Sequence, residues 1–128
     1  MGFRARQRGP PLTRAEIWWA ELGTFRPQQQ TGRRPVIIVQ SNALLGVLQS
    51  VLVVPLTTNV ERARLAGTAL ILASAEGPSE DSVALAFQMR AIPRQALRSK
   101  IRALTEVELA ELELALDEAL GRVEPEGE

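Results

Sequence analysis

The chain has 128 residues, 45% apolar and 23% charged, the size and make-up of one domain that buries most of its apolar surface. It contains no His and no Cys, which excludes Ser-His-Asp and Cys-His catalytic units and disulfide scaffolds, and nearly excludes zinc sites. Fifteen basic groups match fifteen acidic ones, but residues 1–34 carry seven Arg against two Glu, residues 35–104 seven basic groups against four acidic ones, and residues 105–128 one Arg against nine acids. The body therefore suits a polyanionic partner and the acidic end does not. All but one of the basic residues are Arg, whose planar fork pairs with two phosphate oxygens at once. No apolar run approaches the roughly 20 residues that span a bilayer, and no apolar stretch follows the N-terminal charges. A cytoplasmic location with no membrane partner is expected.

Residues 1–13, with Arg4, Arg6, Arg8 and Pro10-Pro11, have no period and read as a flexible Arg-rich tail. Residues 16–22 (EIWWAEL) predict a strand with Trp18 and Trp19 on opposite faces. One indole belongs in a core, and the other in a core, at an interface or stacked on a base. Residues 23–33 predict a long polar loop that contains Arg26, Gln29 and Arg33. Such loops are usually functional or disordered. Residues 36–40 are a β-branched run of the kind buried on both faces. After an irregular connection over 41–49, residues 51–54 predict a third strand. Pro55 has no N–H for a ladder, so the strand must bulge, bend or lie at an edge there, and a bend would swing Thr57, Thr58 and Asn59 out of the sheet. A polar loop with Arg62 and Arg64 follows. Strands are predicted at 68–73 and 82–87, a strand end and Pro-started turn over 90–97, and one more short strand at 100–104.

The clearest helix is 105–120. Thr105 and Glu108 form a capping box, Leu104 and Leu109 a staple, and Leu109, Leu112, Leu116 and Leu120 an apolar stripe, with Gly121 as the stop. Five or six short strands joined by hairpin-length loops and closed by one amphipathic helix predict a small antiparallel barrel, mainly β with α.

The chain carries no P-loop and no dinucleotide fingerprint. The acidic turn at Glu76, Glu80 and Asp81 has the residue types for Mg²⁺, but such turns are more often solvated hairpin tips, so no metal and no cofactor are expected. What remains is Arg-centred phosphate chemistry. Arg34 precedes Pro35, which biases it toward extended backbone, and its fork suits charge building up on phosphorus. Thr57 offers a hydroxyl to a phosphate oxygen, with Thr58 and Asn59 beside it. On spacing alone, a solvated strand-end Arg and a Thr present for β-propensity more often produce such a pair.

Five motifs in order bear a closer likeness: residues 16–22 (EIWWAEL), 32–36 (GRRPV), 55–59 (PLTTN), 81–85 (DSVAL) and 88–92 (QMRAI). Together they resemble the MazF/PemK family of toxin endoribonucleases, over most of the chain from about Arg14 to Gly121. The resemblance implies an SH3-like barrel of the CcdB/MazF type over residues 14–121, with an acidic tail over 122–128, acting as a homodimer. It implies metal-independent, sequence-specific cleavage of single-stranded RNA to 2′,3′-cyclic phosphate and 5′-hydroxyl ends, and neutralisation by a cognate MazE-type antitoxin. The family's catalytic Arg falls on Arg34 and its catalytic Thr on Thr57. RNA contacts are expected from Arg26, Gln29, Arg33, Thr58, Asn59, Arg62, Arg64 and Gln88. Two departures matter. Many members carry Glu where this chain has Gln29, and Asp or Glu where it has Phe87, so the proton-transfer groups are unassigned. The rival readings are a toxin homologue that binds RNA or antitoxin without cutting, and a CcdB-like poison of a protein target. Glu16, where the family more usually has Asp, reads as structural.

Overall fold

The computed structural model describes residues 11–23 and 32–125. Among them are seven strands: β1 Glu16–Glu21, β2 Arg33–Ile38, β3 Ser50–Thr57, β4 Thr68–Ile71, β5 Ser82–Leu85, β6 Arg90–Pro93 and β7 Leu97–Ala103. A one-turn helix α1 (Asn42–Leu45) and a long helix α2 (Glu106–Ala119) complete the set. The strands run in the order β4-β5-β3-β2-β1-β7, with β6 also on β3, and every pairing is antiparallel. This is the expected barrel-type sheet with a C-terminal helix. It has seven strands rather than five or six because residues 90–103 split into two, β6 and β7, around the 3₁₀ turn Arg94–Ala96. No helix among the described residues is long and apolar enough to cross a membrane.

The β-branched run at 36–39 is buried on both faces, as its composition predicts. Ile37 belongs to one core cluster with Ile17, Val54, Leu56, Ile71 and Leu112. Val36 and Ile38 belong to a second, with Trp18, Val53, Leu45 and Ile92. The first cluster is the space between sheet and α2; the second lies on the opposite face of β1–β3, under α1. Each fully buried Ile or Val is worth roughly 1.5–3 kcal/mol relative to exposure. A one-residue slip of β2 would exchange the two sets, so its register is strongly specified.

Several strand ends differ from the sequence expectation: β4 and β5 each stop two residues early, at Ile71 and Leu85, where the latter gives way to the 3₁₀ turn Ala86–Gln88, and β7 starts at Leu97. Two more bear on the site. β2 begins at Arg33, not Val36, because Arg33 and Arg34 pair with Glu21 and Ala20 of β1. β3 does not stop before Pro55. It pairs with β6 as far as Val53 and with β5 from Leu56 onward, so the residue without an N–H falls where the strand changes partner. Thr57 therefore stays in the sheet opposite Val83, and only Thr58 and Asn59 leave it.

Helix α2 is built as its sequence predicts. Thr105 Oγ1 accepts from the Glu108 N–H at 3.1 Å and Glu108 Oε1 from the Thr105 N–H at 3.0 Å. At the far end, Gly121 takes φ +76°. The Arg122 N–H donates to the Asp117 carbonyl at 2.7 Å and the Gly121 N–H to that of Glu118 at 3.2 Å, a Schellman ending. The buried line is Glu108, Leu112, Ala115 and Leu116. Leu120 of the predicted stripe is 59% exposed, because it caps the helix beyond the edge of the sheet.

The buried member of that line that is charged, Glu108, meets Arg102 of β7. The carboxylate and guanidinium form two parallel bonds of 2.8 and 3.0 Å. Arg102 also donates to the carbonyls of Gly77 (2.9 Å), Leu72 (3.0 Å) and Ala103 (3.1 Å), and Glu108 accepts from the Leu72 N–H at 3.1 Å. Burial by itself pushes the Glu108 carboxyl upward, but the hydrogen bonds from Arg102, Thr105 and Leu72 and the Arg102 charge outweigh it, and the group is held below the usual 4.5. The carboxylate form therefore stabilises the fold in full above the ordinary Glu range, and that contribution is lost as pH falls through the lowered folded-state value. Glu108→Gln should flatten the acid limb of stability against pH, read by urea unfolding between about pH 3 and 7. Arg102→Met, which leaves the carboxylate buried alone, should cost about 3–5 kcal/mol at pH 7.

Candidate functional site

Arg34 and Thr57 lie on the ends of neighbouring strands. The last pair of the β2–β3 ladder is Val36 opposite Pro55, and Arg34 and Thr57 each stand two residues beyond it. Alternation gives Arg34 the face of Val36 and Ile38, and Thr57 the face of Val51 and Val53. All four of those apolar residues belong to the second core cluster, so the two polar side chains stand at its rim, each half-buried. Arg33, on the other face, is exposed and sits opposite Glu21.

The turn after β3 fixes the Thr57 hydroxyl. Its Oγ1 accepts from the Asn59 N–H at 3.2 Å, which leaves its own O–H to donate outward. Asn59 is the cap of the 3₁₀ turn Val60–Arg64, its Oδ1 accepting from the Glu61 N–H at 3.2 Å. That use occupies its carbonyl; the amide N remains for a ligand. Thr58 is exposed between them. The loop expected over 60–66 is thus partly this turn, with Arg62 half-buried and its Nε enclosed without a hydrogen-bond partner. Arg64 is exposed and lines a groove against α2 with Glu111 and Glu118, a different surface from the Arg34–Thr57 rim.

Gln88 is exposed in the 3₁₀ turn Ala86–Gln88 that joins β5 to β6, along the edge of β3 away from β2. Phe87 beside it leans toward the turn before β4, where a Cβ on Gly67 (φ +80°) would come within 3.2 Å of its ring. Arg26 and Gln29 lie outside the described residues. Glu16 is structural: it is buried, its Oε1 accepts from the Thr13 N–H and Trp18 Nε1 at 3.1 and 2.9 Å, and its Oε2 pairs with Lys100 at 3.0 Å. In the acidic turn, Asp81 Oδ1 accepts from the Ala73 N–H at 2.8 Å. Among the described residues no three His, Cys, Asp or Glu are grouped to hold a metal.

The Trp pair divides as alternation predicts. Trp18 is core, 3% exposed. Trp19 is half-buried and, with Pro35, Thr58, Pro78 and Ile101, lines a cavity of about 400 Å³. Of these the sequence reading weighed only Trp19 and Thr58 as contacts to RNA. The lining comes from separate strands and one hairpin loop, so no local pattern announces it.

This chain matches, over residues 13–120, the family model described as the PemK-like, MazF-like toxin of type II toxin–antitoxin systems. It is 28% identical over 110 residues to the Staphylococcus epidermidis protein named endoribonuclease MazF, covering 86% of this chain and 92% of that one. It is also 28% identical over 113 residues to the Bacillus subtilis protein named endoribonuclease EndoA, covering 88% and 97%. A MazE–MazF crystal structure from Deinococcus radiodurans shares the fold with a TM-score of 0.72 at 22% identity, over 90% of this chain and all of that one. With the match spanning nearly the whole barrel and α2, the chain belongs to the PemK-like, MazF-like toxins of type II toxin–antitoxin systems.

Proposed function

We propose that this protein is an endoribonuclease toxin that cuts single-stranded RNA without a metal ion. The observation that carries the reading is that Arg34 and Thr57 each stand two residues beyond the Val36–Pro55 pair on neighbouring strands, with the Thr57 hydroxyl oriented by the Asn59 N–H. In the reaction the 2′-hydroxyl gives up its proton and its oxygen attacks phosphorus, the bond to the 5′-oxygen breaks, and that oxygen takes up a proton, leaving a 2′,3′-cyclic phosphate and a 5′-hydroxyl. Arg34 binds the non-bridging oxygens and neutralises the charge that grows on them. Its guanidinium offers five N–H donors and no acceptor, so it acts as a charge stabiliser and not a base. Thr57 donates to one of the same oxygens.

Thr58 and Asn59, in the turn that follows Thr57, contact the neighbouring nucleotides, and Arg33, Arg62, Arg64 and Gln88, on other surfaces, meet the strand farther from the cut, as Arg26 and Gln29 of the first loop do. The family membership and the relatives' names support RNA as substrate and a MazE-type antitoxin as partner. The protein works as a cytoplasmic homodimer; exposed Leu44, Val47 and Leu48 offer apolar surface for a second copy.

The test is cleavage of a mixed single-stranded RNA in EDTA, with fragment ends sequenced. Wild type should give discrete cuts with 5′-hydroxyl ends. Arg34→Ala should lose about 10²–10³-fold in rate, and Arg34→Lys should recover little of it, because a point charge does not replace the fork. Thr57→Val should lose about tenfold or more. No cuts by folded wild type would favour the binding-only reading. Affinity for a non-cleavable strand should fall with salt, and Arg33→Ala should reduce the slope of log K against log salt by about 0.7.

A further inference from the structure

The cavity lined by Trp19, Pro35 and Thr58 lies at strand ends of the barrel-type sheet, on the face that packs against α2, with the Arg34–Thr57 rim on the other face of the same strand ends. Ile17 and Ile37 are cross-strand partners, fully buried in the core between sheet and α2. Two residues toward the strand ends on the same face, Trp19 and Pro35 are again partners, but half-exposed. They form one wall of the cavity above that core, and Ile101, which packs against the same core, contributes to it. The opposite wall is the loop over residues 74–80. That loop is braced from within, by the Ser74 N–H to the Pro78 carbonyl at 3.1 Å and Ser74 Oγ to the Gly77 carbonyl at 2.9 Å. It is braced from below by Arg102 Nε to that same Gly77 carbonyl.

We propose that this cavity is a subsite for one nucleobase of the RNA strand, next to the scissile phosphate. The inference rests on the reading of the chain as an RNA-cleaving enzyme. Three features point to a base. At about 400 Å³ the cavity is within the range of small-ligand pockets. Trp19 offers a half-open indole face on which a base stacks. Pro35 and Thr58 are the residues that follow Arg34 and Thr57, so the cavity begins one residue from the phosphate-binding pair on both strands.

Charge then selects the part of the nucleotide and the kind of base. The described residues that line the cavity include the exposed carboxylates of Glu76 and Glu80 and no Arg or Lys. That wall repels phosphate and accepts from N–H donors on a Watson–Crick edge. Guanine, with adjacent N1–H and N2–H₂ donors that one carboxylate accepts together, fits best. Uracil, with a single N–H between two carbonyls, fits worst.

The experiment is cleavage of a randomised single-stranded RNA by wild type, Trp19→Leu, Glu76→Gln and Glu80→Gln, with all ends sequenced. Wild type should prefer guanine at one fixed position beside the cut. Trp19→Leu and at least one Gln variant should reduce that preference about tenfold or more, while phosphate-contact variants such as Arg33→Ala leave it intact. Glu76 and Glu80 are surface residues, so the Gln variants test the idea even if Trp19→Leu folds poorly. Wild-type cutting with no guanine preference, or variants with an unchanged profile, would overturn the subsite.

If wild type does not cut at all, the ribonuclease reading fails separately, and the subsite is then judged by binding. A 2′-deoxy hexanucleotide containing guanine should quench tryptophan fluorescence, and its uracil counterpart should not. The quench should vanish in Trp19→Leu, which keeps only the buried Trp18. Absence of any quench would end the proposal.

Discussion

The paired fork of Arg102 and Glu108 is the constraint on which the rest of the molecule depends. Both side chains are buried, each 6% exposed, so neither charge tolerates loss of the other. Between them they satisfy the first turn of α2, the end of β4 at Leu72, the last residue of β7 and the loop carbonyl of Gly77. One ion pair thereby fixes how the helix lies on the sheet and where the 74–80 loop stands at the cavity. The first core cluster then closes beneath it, with Leu112, Ala115 and Leu116 against Ile17, Ile71 and Ala84.

Burial of β1, β2 and β3 on both faces transmits that order to the candidate site. Because two cores grip the same strands, their register is held from above and below, and the strand-end residues inherit the precision of the interior. The Val36–Pro55 pairing leaves Arg34 and Thr57 two residues beyond it on neighbouring strands. Pro55 has a part in this. Its missing N–H coincides with the change of β3 from β6 to β5, and the strand continues past it to carry Thr57 to the sheet edge. The same alternation sends Trp19, Pro35 and Thr58 to the other face. The Arg34–Thr57 rim and the cavity lined by Trp19 are thus neighbours across the strand ends.

Much of this was legible in the chain. The β-branched run at 36–39, the capping box at Thr105 and Glu108 and the stop at Gly121 are local signals, and the structure realises each of them. The motif order pointed to the family that the comparison then supplied. Less legible were the strand ends. Arg33 read as the end of the loop and Arg34 as a strand entry, because charged residues carry no β signal, and it is pairing with β1 that makes both of them strand. Leu120 matched the helical spacing of the stripe but overshoots the sheet, whose extent no helix pattern reports. Arg64 and Arg62 were alike in sequence, yet one faces the α2 groove and the other has an enclosed Nε.

The sequence by itself determined which chemistry is excluded, through the absence of His and Cys, and most of the local elements, through periodicity and caps. These depend on composition and on neighbours within a few residues. Only the tertiary structure decided that Arg102 would be the partner of Glu108, that Pro55 would mark a change of partner rather than an end, and that Trp19 would open onto a cavity built from separate segments. Each of those is a contact between residues distant in the chain, set by packing and register, and no local spacing encodes which distant residue will arrive.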